Sequence, residues 1–109
     1  MQNLRTQELA KILSDASLRG FDPYFSAAQD ALVETARAVT RFQPFNSSHE
    51  GFAVLQEEVH ELWDAIGSND LVEAREQAIQ VAAIALRFIA EMPPTKKYEP
   101  REKEDSCRS

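Results

Sequence analysis

Apolar residues recur at the three-to-four-residue spacing of an α-helix in four segments of the chain, and the first two lie before residue 43. The first segment, residues 2 to 19, ends at Gly20, and its apolar positions are Leu4, Leu9, Ile12, Leu13 and Ala16. The second is predicted to begin with Asp22 as N-cap and Pro23 in the first turn, and to end near Phe42, before Pro44. Its stripe consists of Ala28, Leu32, Ala36 (or Thr35) and Val39.

The third segment opens with a capping box, in which Ser47 and Glu50 are three residues apart. We predict that this helix extends to about Ile66, where a Gly-Ser-Asn turn follows. Its expected buried face consists of Phe52, Leu55, Val59, Leu62, Trp63 and Ile66. Four acidic residues fall on the opposite side, namely Glu50, Glu57, Glu61 and Asp64.

The fourth segment is capped by Asn69 or Asp70 and is apolar nearly all round from Ala78 to Ala90. A helix of that kind must be covered on several sides, and the other predicted helices are too few and too polar to cover it. We therefore expect a homo-oligomer, either a dimer or a tetramer. Only Gln80 and Arg87 interrupt this apolar run.

Composition narrows the class of protein. The 109 residues suit one all-α domain at 1–92, followed by a charged, proline-bearing tail at 93–109 that we expect to be disordered. The net charge of −6 disfavours a nucleic-acid partner. No stretch is apolar enough to predict a membrane span, and the single cysteine, Cys107, excludes an internal disulfide. A cytoplasmic location is expected.

Clustered carboxylates are the main chemical feature of the third helix. Glu57, Glu58 and Glu61 stand on neighbouring turns, so their Cβ atoms should lie about 5–6 Å apart. Carboxylate oxygens of this kind bind Mg²⁺, which usually retains water and substrate phosphates as further ligands. The competing interpretation is a solvated acidic helix face, a common pattern on exposed helices.

Two neighbouring blocks of sequence carry a resemblance to a known family. The runs FNSSHEGFAVLQEEVHELWDAI and REQAIQVAAIALRFIAEM, within residues 45–92, resemble a bacterial and phage subgroup of the MazG-like family. This resemblance implies an all-α four-helix bundle with helices packing across subunits. It also implies hydrolysis of a nucleoside triphosphate to a monophosphate and pyrophosphate.

The resemblance further implies a Mg²⁺ site, which Mn²⁺ would also fit. In the family an ExxE motif and an ExxD motif on successive helices hold the metal. Glu58 and Glu61 match the first motif, with Glu57 beside them, and one of the two would orient or deprotonate the attacking water. The second motif falls on Gln77 and Gln80, whose amides bring no charge and should lower metal affinity.

Three further residues are candidates for substrate binding, and each has a structural alternative. His49 and Glu50 belong to the SxHEG block of the resemblance, although both would also serve as helix-capping residues. Arg87 either faces a phosphate or neutralises Glu50 or Glu61. We expect Trp63 in the core rather than as a base-stacking platform. The alternative function is a non-catalytic helical oligomer that binds a nucleotide or a cation weakly.

Overall fold

The computed structural model describes residues 2–18 and 20–92, and side chains from residue 5 onward. These residues form four helices: α1 (Gln2–Ser17), α2 (Asp22–Arg41), α3 (Ser48–Gly67) and α4 (Leu71–Glu91). The predicted all-α class is therefore confirmed. In the described ranges no helix has the length and apolarity needed to cross a membrane. The predicted tail, with Cys107, lies outside the described residues.

The N-termini of α3 and α4 are capped by side chains at the predicted positions. Ser47 Oγ accepts a hydrogen bond from the backbone N–H of Glu50 at 3.2 Å. The Glu50 carboxylate accepts in turn from the N–H of Asn46, one residue earlier than in the usual reciprocal box. Asp70 Oδ1 accepts from the N–H of Glu73 at 3.1 Å, so Asp70 caps α4, whereas Asn69 forms the turn with a φ of 61°.

The N-cap predicted for α2 is wrong. Phe21 occupies that position, and its carbonyl accepts hydrogen bonds from the N–H of Tyr24 at 2.9 Å and of Phe25 at 3.2 Å. The Phe21 ring lies 4.9 Å from the Phe25 ring, edge to face, and stacks 5.6 Å from the Tyr24 ring. Asp22 is the first helical residue instead, where its charge still suits the helix dipole.

Helix α4 is the centre of the fold. Helix α3 runs antiparallel along it after a short turn, and α2 packs against it from another side. An ion pair of 2.9 Å between Arg75 and Asp30 links the beginning of α4 to α2. Helix α1 makes no comparably extensive contact with the other described helices. The arrangement leaves space between α2 and α3 on the surface of α4.

Small residues form the contacts by which the helices approach one another. The buried helical positions include Ala31 on α2, Gly51 and Ala65 on α3, and Ala83 on α4. At Gly51 the approach is closest, because a Cβ atom there would lie only 2.7 Å from Cδ2 of Phe88. The glycine of the HEG block therefore has a packing role.

The predicted buried faces of α2 and α3 are wrong for the single chain. Phe52 is 57% exposed and Trp63 is 67% exposed, and the other large apolar side chains turned outward on these helices are Tyr24, Phe25, Leu32, Val33, Val39, Val59 and Ile66. Only Leu55 and Leu62 of the predicted α3 face are half-buried. The reason is geometric: helices approach more closely along faces of small residues, and the bulky face next to each contact is left uncovered.

The close contact at Gly51 predicts the effect of adding one methyl group. We expect Gly51→Ala to lower the free energy of unfolding by about 1–3 kcal/mol, since the new Cβ would overlap the Phe88 ring. Gly67→Ala is the matched control, because a Cβ at that position meets nothing within 4 Å. Chemical denaturation of both variants measures the difference. Equal stability of the two would contradict the packing role of Gly51.

Candidate functional site

A cavity of about 670 Å³ opens between α2, the linker that follows it, α3 and α4. Its size lies within the range typical of small-molecule sites. Charged and amide side chains from three helices line it, and these are Glu34, Arg37, Arg41, Glu50, Glu57, Glu58, Gln80 and Arg87. Its floor is apolar and includes Val54, Ala83 and Ile84. Acidic groups of α3 and the arginines of α2, with Glu34 of the same helix, therefore face one cavity.

The cavity brings together part of the predicted site. Glu57, Glu58 and Gln80 of the predicted metal set line it, as do Glu50 and Arg87 of the predicted substrate set. Glu58 and Gln80 lie on the facing sides of the antiparallel pair α3 and α4. The rest of the cavity wall comes from α2 and the linker.

Two predicted ligands lie one turn further along the same helix pair. Glu61 and Gln77 line a second cavity of about 360 Å³, together with Asp64, Asp70 and Glu73. His49 is exposed and lines neither of these two cavities. The five predicted ligands are therefore divided between two adjacent sites.

Glu58 is the carboxylate most affected by its surroundings. Partial burial raises the pKa of Glu58, and the negative charges of Glu61 and Glu57 raise it further. Such a carboxyl group is a stronger base than an exposed glutamate, because its charged form is less well stabilised. A cation or a proton near Glu58 would relieve the repulsion.

Gln77 carries a polar atom with unused hydrogen-bonding capacity. Its Nε2 donates to Glu73 Oε2 at 2.8 Å, whereas Gln77 Oε1 is buried and has no hydrogen-bond partner among the described residues. The amide orientation is fixed by chemistry, since the reverse orientation would set Oε1 against a carboxylate. This amide therefore belongs to the second cavity and not to the one that contains Gln80.

Among the described residues, no group of three or more His, Cys, Asp or Glu side chains stands close enough to hold a metal ion. The described residues therefore offer no complete cage of carboxylates for a metal ion. Mg²⁺ in phosphate-processing sites is commonly held by only one or two protein carboxylates, with water and substrate oxygens completing the octahedron. Glu57 and Glu58, on the cavity wall, fit that sparser mode.

Arg87 is part of the scaffold. It is only 5% exposed, and its Nε donates to Glu91 Oε2 at 3.0 Å while Nη2 donates to the carbonyl of Gln43 at 3.1 Å. Its guanidinium lies 4.1 Å from the centroid of the Phe45 ring. The predicted ion-pair partners, Glu50 and Glu61, are therefore wrong, because Glu91 lies one turn away on the same helix.

Glu91 completes this connection between α4 and the linker. Its Oε1 accepts a hydrogen bond from the backbone N–H of Phe45 at 2.8 Å. Arg87 and Glu91 together hold the linker from Gln43 to Phe45 against the end of α4, which closes one end of the cavity. A role for Arg87 in phosphate binding stays a prediction.

Three charged residues of α2 on the cavity wall were missed from the sequence, namely Glu34, Arg37 and Arg41. Arg37 and Arg41 lie one turn apart near the end of α2 and line the cavity. Their spacing of four residues was a signal that both occupy one helix face. The spacing alone did not indicate a site, because the apolar stripe of α2 was assigned to a neighbouring face. The resemblance gave no indication either, because it covers only residues from 45 onward.

Comparisons with known proteins supply no family or activity for this chain: no family model, no curated protein and no solved structure matches it.

The raised pKa of Glu58 predicts a pH-dependent gain in stability from Glu58→Gln. In the parent the folded state holds this proton more tightly than the unfolded state, so stability falls as pH rises through the window above the ordinary value of 4.5. The variant should therefore be more stable at pH 7, only modestly because solvent screens the exposed part of the side chain, and the gain should vanish below pH 4.5.

Thermal or chemical denaturation between pH 4 and pH 8 measures this gain, and Glu76→Gln, a substitution at an exposed position of α4, is the control. If Glu58→Gln is less stable than the parent at pH 7, the fold stabilises the charged form of the Glu58 carboxylate, which would contradict the repulsion described above.

Proposed function

We propose that the chain is a Mg²⁺-dependent pyrophosphohydrolase, which converts a nucleoside triphosphate to a monophosphate and pyrophosphate in the cavity of 670 Å³. One observation carries the proposal: carboxylates of α3, arginines of α2 and a glutamine of α4 line the same cavity. A metal-bound polyphosphate needs both kinds of group, since its cation faces carboxylates and its oxygens face donors.

The resemblance to MazG-like proteins supports the same function from an independent direction. Its ExxE motif falls on Glu58 and Glu61, and Glu58 lines the cavity. The resemblance alone names the substrate class, since the cavity itself supplies only a volume and a charge distribution.

Glu57 and Glu58 would hold the metal, with Gln80 as a neutral oxygen ligand. Bound there, Mg²⁺ would neutralise charge that develops on the phosphate oxygens. Because Gln80 contributes no charge, the protein alone should bind the ion weakly, and substrate oxygens should strengthen the binding.

Glu58 is the residue best suited to move a proton. Of the two carboxylates that match the ExxE motif, Glu58 lines the cavity and Glu61 does not, so we assign to Glu58 the acceptance of the proton of the attacking water. The water oxygen bonds to the α-phosphorus, the bond from that phosphorus to the bridging oxygen breaks, and pyrophosphate leaves. Glu61 acts indirectly, through its charge, because it lines the neighbouring cavity.

The alternative is a non-catalytic helical oligomer that binds a nucleotide or a cation weakly. Two observations favour it: amides occupy the positions of two family carboxylates, at Gln77 and Gln80, and the five predicted ligands are split between two cavities. On this hypothesis the cavity binds a nucleotide or a cation and no bond of the ligand is broken.

We also propose that copies of the chain associate in either case. Phe52, Val59, Trp63 and Ile66 form one exposed stripe along α3, and Ile89 of α4 is 67% exposed. Burying a side chain of this size is worth about 1.5–3 kcal/mol, so covering the stripe with a second copy would stabilise the fold.

A cytoplasmic location is part of the proposal, on the ground of the single cysteine.

Hydrolysis predicts pyrophosphate release from a panel of nucleoside triphosphates with Mg²⁺ or Mn²⁺. Glu58→Gln should lower the rate by about a hundredfold or more, the range typical of losing a general base. Gln80→Asp should tighten metal binding and raise the rate, because it restores a charge to the cavity. Glu76→Gln, outside both cavities, should match the parent.

The two hypotheses separate on one further measurement. Without pyrophosphate release, a thermal shift with Mn²⁺ and nucleotide that Glu58→Gln abolishes would support the non-catalytic binding protein. If the chain gives neither pyrophosphate release nor a thermal shift, the acidic face of α3 is only a solvated surface.

A further inference from the structure

We propose that Arg37 and Arg41 of α2 form the anion-binding wall of the cavity and hold the phosphates that the metal leaves uncovered. This inference rests on the proposed function for the nature of the ligand, a magnesium-bound polyphosphate. It goes beyond that function because it names the residues that contact the phosphates. These are the two arginines of α2, and not Arg87 of α4.

The arrangement of the two arginines supports this assignment. They are four residues apart in the last turns of α2, so their side chains leave the same face of the helix. Both line the cavity, whose acidic wall is contributed by Glu57 and Glu58 of a different helix. A ligand in the cavity therefore meets two arginines of α2, with Glu34 beside them, on one side and the carboxylates of α3 on another.

The availability of charge distinguishes these arginines from Arg87. Arg87 is buried and committed to Glu91 and the Gln43 carbonyl. The Arg37 side chain is 66% exposed, and its ion pair with Glu34 of the same helix is 3.3 Å long. Exposed ion pairs of this kind contribute little to the stability of a fold. Arg41 makes no ion pair with any residue in the described part of the chain. The free positive charge of the cavity is therefore on α2.

Electrostatics explains why such a wall is needed. The carboxylates of α3 repel a polyphosphate, and one divalent ion neutralises only part of the four negative charges or so of a triphosphate. A planar guanidinium binds two phosphate oxygens at once, and two arginines one turn apart suit successive phosphates of one chain. The wall should therefore favour triphosphate over monophosphate.

A purely structural role for Arg41 makes a different prediction. A cation in the last turn of a helix interacts with the helix dipole, and its removal lowers stability without altering ligand binding. Stability and binding must therefore be measured on the same variants.

The test is calorimetric titration of the full chain with inorganic tripolyphosphate in the presence of Mg²⁺, which requires no hydrolysis of a nucleotide. We expect Arg37→Gln and Arg41→Gln each to weaken binding by about tenfold, and the double variant by more, with melting temperatures close to that of the parent. Arg41→Lys, which keeps the charge but not the paired donors, should fall between. Arg5→Gln, an exposed arginine of α1 outside both cavities, should bind like the parent.

The outcomes separate this inference from the proposed function. The assignment would be overturned if both arginine variants bind tripolyphosphate as tightly as the parent does. It would also be overturned if the parent does not bind tripolyphosphate, even if the chain releases pyrophosphate from nucleotides. Equal weakening by Arg5→Gln would overturn it too, as a sign of non-specific charge attraction. Weakened binding in the α2 variants would support it, even if no nucleotide is hydrolysed.

Discussion

The close approach of α3 to α4 at Gly51 is the constraint on which the rest of the fold depends. A side chain at that position would meet the Phe88 ring at 2.7 Å, so the distance between the helices is set by the absence of a Cβ. The same approach buries Phe45, over which the Arg87 guanidinium lies, and Arg87 with Glu91 then holds the linker from α2. Since that linker closes the cavity, the packing of one glycine and the shape of the candidate site are physically connected.

Packing through small residues also determines what the chain leaves uncovered. The buried apolar side chains in the described part are small apart from Phe45 and Ile84, whereas Phe52 and Trp63 of α3 face outward. A chain that keeps its larger apolar side chains on the surface has a small core of its own, and association provides the missing burial. The proposed homo-oligomer follows from this distribution.

The sequence predicted the helices well and their packing poorly. Local signals fixed the ends of the helices, because Ser47 and Asp70 need only residues within one turn to cap them. Asp22 failed as a cap because Phe21 takes that position, where its ring contacts the rings of Tyr24 and Phe25. Periodicity located the apolar stripes but could not show that helices of one chain would meet along the adjacent small-residue faces. For the site, the resemblance to MazG-like proteins paired Glu58 with Gln80, and both residues line the cavity. Arg37 and Arg41 lie on a face of α2 that the sequence left unassigned, and Arg87 pairs with Glu91 of its own helix instead of Glu50 or Glu61.

The central claim is that the outward apolar stripe of α3 is covered by a second copy. Sedimentation equilibrium at micromolar concentration tests it most directly, with Trp63→Gln beside the parent and with Leu18→Gln as the control, since Leu18 is an exposed apolar residue in the turn after α1. We predict a mass of at least two chains for the parent and for Leu18→Gln, and a shift toward the single chain for Trp63→Gln, because a symmetric interface loses the tryptophan from both sides. A parent that sediments as one chain, or an assembly unaffected by Trp63→Gln, would contradict the account.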